Sequence, residues 1–392
     1  MATLTQTAFQ ALEPGKAALP LLTFEQFSLP PSNQRVLGAP HAEGTTIPLA
    51  LRPSNPDGAE LELDTVIETI KSLQAQGGIL TKKLSQHGAL LFRGLPVHNA
   101  DDFSKFAHAF GYKPRYIIGV VVNRPEMAPN VAPANESSKD LTISMHNESD
   151  EVPHAPEYVF FYGHRVAKSG GETPMASSLE LFRRVQQEIP DFIAQLAEKG
   201  ILSRVTYKVD KQSAGGSTLK QAFGKAFQDG DDAATKRAKI EAQIRRYGRG
   251  AHTTWEWLDG GVVLTHRLPA IRTQPGTNLP TLFTGLAAST RIARARVSSR
   301  QDTSQQLFGD GTPIPDEYLD RLKEIADEIR VLHKWQRGDV LVYDNVIAQH
   351  GREPWQGEQA DRVIMASLFD GEQVPGAYND EDWAQVVQAL DG

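Results

Sequence analysis

Val340-Leu341-Val342-Tyr343-Asp344-Asn345-Val346-Ile347-Ala348-Gln349-His350-Gly351-Arg352 is the most informative stretch of the chain. Its first four residues are apolar and β-prone, the pattern of a buried strand. Asp344-Asn345 then opens a loop, and a histidine follows it. A single histidine is more often structural than chemical, so it needs partners. Met145-His146-Asn147-Glu148 offers them. In extended backbone residues i and i+2 point to the same side, so His146 and Glu148 can share one metal. A His-x-Glu pair arises often by chance, and alone it reads as a surface strand.

Two imidazoles and one carboxylate together form the facial triad of non-haem iron(II), which leaves positions open for a chelating cosubstrate and dioxygen. Arg362 stands twelve residues beyond His350, at the start of a returning apolar strand. Its guanidinium fork can hold a carboxylate bidentately. On its own it reads as a surface ion-pair partner. Beside a triad it becomes an anchor for the distal carboxylate of 2-oxoglutarate.

Composition narrows the classes. With 392 residues, 40% hydrophobic and 23% charged, the chain can bury a sizeable core. A net charge of −7 with scattered Lys and Arg gives no basic face for nucleic acid. The absence of cysteine excludes disulfides, a thiolate metal site and a Cys nucleophile, so any metal must be held by His, Asp or Glu. Met1 to Leu22 lacks a basic segment followed by an apolar run, and no stretch approaches the roughly 20 apolar residues of a bilayer span. A cytoplasmic protein with a small-molecule substrate, no nucleic acid and no membrane partner is expected. The oligomeric state, a homo-oligomer included, stays open.

Residues 1–60 read as an irregular arm, and 61–392 as a single domain with a helical insertion around 178–260. Thr65-x-x-Glu68 suggests a capping box for a helix carrying Val66, Ile70 and Leu73, stopped by Gly77-Gly78. Ala89 to Phe92 reads as a buried strand, and Phe103, Phe106, Ala107 and Phe110 as a helix face. Val159 to Tyr162 and Val363 to Phe369 read as strands. Ser177 with Glu180 caps another helix, Pro190 and Gly200 bracket the next, and 231–247 reads as a charged surface helix.

These pieces, in this order, resemble the TauD/TfdA family of 2-oxoglutarate dioxygenases, in its His-Asn-Glu, clavaminate synthase-like branch. The resemblance runs from His87-Gly88-Ala89-Leu90-Leu91-Phe92-Arg93-Gly94 through Met145-His146-Asn147-Glu148 and Gly170-Gly171-Glu172-Thr173-Pro174. It continues to Trp335, Gly338-Asp339, Asp344-Asn345 and His350-Gly351-Arg352-Glu353-Pro354. It implies that His146, Glu148 and His350 ligate Fe(II), and that Thr173 and Arg362 bind 2-oxoglutarate, with O2 as the second cosubstrate. The implied fold is mainly β with flanking helices, a double-stranded β-helix (jelly roll, cupin-like) barrel.

The implied reaction is oxidation of an unactivated C–H bond of a small metabolite, an amino acid or derivative in secondary metabolism. Hydroxylation is the default, with desaturation or oxidative ring closure as alternatives. The occupied carboxylate position, Glu148, disfavours halogenation. A jelly-roll isomerase, hydrolase or binding module is the reading of another class, and it leaves Thr173 and Arg362 unexplained. Taurine-type members carry a second Arg four residues past the cosubstrate Arg, where this chain has Ala366, so sulfonates are not expected unless Arg115, Arg165 or Arg267 folds in. The branch's usual Trp-Phe-Asn is replaced by Thr281-Leu282-Phe283-Thr284, and two extra residues separate His350 from Arg362. Arg352 is read as supporting the His350 loop. His87, His98, His108, His154, His164, His252, His266 and His333 are given no role.

Overall fold

The computed structural model describes residues 22–54, 60–115, 125–134, 137–153, 155–209, 218–248, 253–289 and 304–371. The chain is mainly β with flanking helices, and two sheets carry the site. The larger, eight-stranded sheet runs in the order Thr23–Gln26, Leu49–Ser54, Ala89–Phe92, Val340–Asp344, Tyr158–Arg165, Val363–Asp370, Lys113–Pro114, with Ala132–Pro133 also on Val363–Asp370. The smaller is ordered Val331–His333, Thr173–Ser177, Ala348–Arg352, Ile143–His146.

Val340–Asp344 lies inside the large sheet, antiparallel to both Ala89–Phe92 and Tyr158–Arg165. All five of its residues are buried, which explains why it reads as an unbroken apolar run. Leu91, Phe161, Leu341, Tyr343, Ile364, Ala366 and Leu368 point to one face, where they share a core with Met175, Val331 and Ala348 of the small sheet. Alternate residues, among them Phe92, Phe160, Tyr162, Val340 and Val342, point the other way, under helices Leu63–Ala75, Ile79–His87 and Ala100–His108. Helices Ser178–Glu188, Pro190–Lys199 and Asp316–Ile329 cover the outer face of the small sheet through Phe182, Val185, Phe192, Leu322 and Ile325 against Met145 and Ala176.

Several helix ends follow their sequence signals. The Ser177 hydroxyl accepts from the Glu180 N–H at 3.2 Å, and Pro190 opens the next helix, which ends at Gly200. The Thr65 capping box does not form. That helix starts at Leu63 behind Glu62, with no side-chain cap, because Leu61 and Leu63 pack on the core and draw the first turn inward. The described part of the expected arm is not irregular, since Thr23–Gln26 and Leu49–Ser54 join the large sheet; residues 1–21 and 55–59 lie outside the described residues, as do His154 and His252. The region expected as a helical insertion also holds strands. Ile201–Lys208, Thr253–Leu258 and Gly261–Leu268 form a third antiparallel sheet with Ser304–Phe308. Among the described residues, no helix is long and apolar enough to cross a membrane.

Candidate active site

His146 ends the strand Ile143–His146 and His350 sits in its neighbour Ala348–Arg352, where the two residues are paired directly across the ladder. Opposed residues of an antiparallel pair lie close enough for their side chains to meet. The imidazole centroids are 4.6 Å apart. Glu148, two residues past His146, brings Oε2 to 3.8 Å from His146 Nε2 and 3.5 Å from His350 Nε2. One donor atom from each of the three lies within 4.8 Å of the others. The His146 Nδ1–H donates to the Ser144 carbonyl at 2.9 Å, which turns Nε2 toward the shared point. Burial pulls the His146 imidazole down, and Glu148, by hydrogen bond and charge, together with the Ser144 carbonyl and Asp150, more than reverses it.

His350 packs against Phe161, with centroids 4.9 Å apart, and Tyr343, at 5.4 Å, both from the large sheet. The triad therefore faces the space between the two sheets. Asn147, between two of the donors, is fully buried. Its amide donates to the Asn345 carbonyl at 2.6 Å, and its Oδ1 accepts from Thr284 N–H at 2.9 Å and Gln349 Nε2 at 3.1 Å. Asn345 in turn accepts from Glu148 N–H at 2.6 Å and donates to the Glu148 carbonyl at 3.0 Å. Two asparagines thus lock the segment carrying His146 and Glu148 to the one that leads to His350. Sequence reading saw Asn147 only as the middle of a motif and Asn345 only as a loop opener.

Arg362 immediately precedes Val363–Asp370 and is 3% exposed. Its Nε–H donates to the Gly171 carbonyl at 2.9 Å, and its guanidinium lies 5.5 Å from the Trp355 ring. Burial, reinforced by Arg352, draws its pKa down to about 9 against the pull of Glu172. Gly171 must be glycine, because a Cβ there would stand 2.8 Å from Arg362 Cδ and its φ is +74°. Thr173, two residues on, is buried and accepts from Trp335 Nε1–H at 2.9 Å. Arg362 and Thr173 are therefore linked through one backbone segment, Gly171 to Thr173. Arg352 donates to the carbonyls of Ser137, Ser138 and Leu141, bracing the segment that leads into Ile143–His146. Ala366 is a buried methyl in the inter-sheet core, beside Phe161 in the neighbouring strand.

A convergent, half-buried set of two imidazoles and one carboxylate has the chemistry of a mononuclear non-haem metal centre with open positions. The profile of the taurine catabolism dioxygenase TauD, TfdA family matches residues 50–368, and the chain belongs to that family. The clavaminate synthase-like protein of Arabidopsis thaliana is 32% identical over 333 residues, covering 84% of this chain and 95% of that protein. Dapdiamide synthesis protein DdaC of Enterobacter agglomerans is 27% identical over 292 residues, 72% of this chain and 83% of its own. Among solved structures, PvcB of Pseudomonas aeruginosa is similar with a TM-score of 0.47 and 14% identity, over 92% of this chain and 96% of that one. The chain is a 2-oxoglutarate-dependent non-haem iron dioxygenase, an oxidoreductase that uses Fe(II), 2-oxoglutarate and O2.

Proposed function

We propose that His146, Glu148 and His350 hold the iron, that Arg362 and Thr173 hold the far carboxylate of 2-oxoglutarate, and that the enzyme hydroxylates an unactivated C–H bond of an amino acid or a derivative of one. The observation that carries this reading is the convergence of the three donor atoms within 4.8 Å in the space between the sheets. The two facing sheets are read as the halves of a double-stranded β-helix, or jelly roll.

When bound, iron and 2-oxoglutarate supply the oxidising power that opens the C–H bond. The chain supplies the geometry. Ser144 fixes the tautomer of His146, Asn147 and Asn345 fix the spacing of the two ligand segments, and Phe161 and Tyr343 wall off water around His350. Arg362 offers a charged fork, and Thr173 a hydroxyl on the same backbone segment that Arg362 binds. Ala366 removes the strand cation that a sulfonate would meet four residues past Arg362, since a buried anion at that position finds a methyl group. The dapdiamide synthesis relative supports a biosynthetic substrate.

The test is succinate formation with Fe(II), ascorbate and 2-oxoglutarate, comparing taurine with a panel of proteinogenic amino acids. Amino-acid-dependent succinate, lost in His146→Ala and His350→Ala, is the expected result. Coupling to taurine alone would remove the amino-acid reading, and activity retained without either histidine would remove the triad.

A further inference from the structure

Arg272 lies in the short strand Ile271–Thr273, paired with Pro280–Leu282, and is 4% exposed. Its guanidinium lies on the Phe283 ring, 3.8 Å from the centroid. Its Nε–H reaches the Pro269 carbonyl only at 3.5 Å, and its buried Nη2 has no hydrogen-bond partner. Among the described residues it forms no ion pair. A buried guanidinium stays protonated, and leaving it without a counter-charge is unfavourable. Burial draws its pKa down to about 10, which still leaves it charged at neutral pH.

The position of this cation is informative. Phe283, on which it stacks, is followed by Thr284, whose N–H and carbonyl both bind Asn147, the residue between His146 and Glu148. The charge acting on Arg272 from a distance is Asp150, which also acts on His146 and Glu148. Asp150 is held by Gly285 N–H at 2.6 Å and Gln306 Nε2 at 2.9 Å. A Cβ at Gly285 would come within 2.8 Å of Asp150 Oδ1, so only glycine allows this approach. Arg272 is thus joined to the His146–Glu148 segment through Phe283, Thr284 and Asn147, and Asp150 is held by the next residue, Gly285. Of the three arginines that could fold in for the missing strand cation, Arg165 and Arg267 are exposed, and Arg115 is buried with its backbone N–H on the Leu368 carbonyl of the large sheet.

We propose that Arg272 binds the carboxylate of the substrate, and that this substrate is an amino acid whose α-carboxylate is free. The planar fork matches a carboxylate in two-point geometry, and a bound carboxylate would complete the unpartnered Nη2. The proposal rests on the assignment of the iron site above and names the substrate class for it.

The experiment is anaerobic calorimetry on the Mn(II)- and 2-oxoglutarate-loaded protein, titrated with the proteinogenic L-amino acids and their α-carboxamides, on wild type and Arg272→Met. Melting of the metal-free proteins is measured alongside. At least one amino acid should bind to wild type, with its carboxamide about 30-fold weaker or more, and Arg272→Met should lose binding by about the same factor. Affinity for 2-oxoglutarate should not change. Arg272→Met should melt at or above the wild-type temperature, because an apolar chain replaces an unpaired buried charge. Equal binding of acid and carboxamide, wild-type binding by Arg272→Met, no amino acid bound at all, or a variant that melts lower would each overturn the proposal. Failure of wild type to bind 2-oxoglutarate would instead overturn the iron-site reading beneath it. Arg272→Lys, which keeps the charge and loses the fork, should bind with intermediate affinity.

Discussion

At the scale of single residues, the proposed site makes His146 and His350 two donors of three, so replacing either by alanine should abolish metal retention and turnover together. The fold should survive, because Asn147 and Asn345 still join the two segments. Metal content after gel filtration, beside far-ultraviolet circular dichroism, checks both halves of that statement. On the proposed anchoring of 2-oxoglutarate, Arg362→Ala removes one side of a buried charged pair. The expected cost, about 2 to 5 kcal/mol, appears as a tens- to thousands-fold rise in the 2-oxoglutarate requirement. A change confined to the substrate constant would move Arg362 into the substrate pocket. Thr173→Val should shift 2-oxoglutarate less and reduce stability by about 1 to 3 kcal/mol, since it leaves the buried Trp335 N–H without its acceptor. Histidines and a carboxylate two residues apart were legible in the sequence because extended backbone fixes their direction. The clamp made by Asn147, Asn345 and Thr284 was not, because an amide's partners are set by tertiary neighbours. Arg272 was not legible either, since an arginine after Leu268-Pro269-Ala270-Ile271 carries no local sign of burial.

At the scale of elements, the turn Gly170-Gly171 holds Arg362 by absence of side chain. Gly171→Ala forces a Cβ against Arg362 Cδ and a positive φ on alanine, so stability should fall by about 1 kcal/mol or more and the 2-oxoglutarate requirement should rise with it. A variant that lost stability with 2-oxoglutarate affinity intact would separate the turn from the anchor. The strand Gly261–Leu268 carries a second consequence. His266 is buried and bonded to Thr253 Oγ1 at 2.9 Å, and burial lowers its pKa to about 4. The unfolded chain takes up that proton near pH 6.5 and the folded chain resists until about 4, so the unfolded state binds more protons between those values. Stability from this residue is complete above pH 6.5 and is lost as pH falls through the window, by an amount on the order of 3 kcal/mol. Denaturant midpoints from pH 7.5 to 4 should show a shallower decline for His266→Gln than for wild type. Ala89–Phe92 and Val340–Asp344 were legible because both their faces are buried and the apolar run is unbroken. Thr173–Ser177 was not, since its sequence, Thr-Pro-Met-Ala-Ser, carries neither period two nor a β-branched run. Ile201–Lys208 alternates buried and half-exposed positions, a strand period overlooked beside the helices that precede it.

At the scale of the whole molecule, the order of motifs made the family and the mainly β class legible, while the third sheet was hidden inside a region whose helices dominate the pattern. Among the described residues Ile143–His146 is the outermost strand of the small sheet, hydrogen-bonded along one side, and its register slips between His350 and Arg352. An outer strand with an interrupted ladder opens more readily than a central one. An ion gripping His146 and His350 would staple this border to its neighbour, adding stability by linkage, about 4 kcal/mol at a thousandfold excess over Kd. Chelation should then raise amide hydrogen exchange at residues 143–148 while 340–344 stays protected. A uniform change across both segments would mean that the border holds by itself. If the border does loosen, metal-depleted protein would be nicked by proteases first beside its own catalytic pocket, so loss of the ion would mark the molecule for degradation before the rest of the fold gives way.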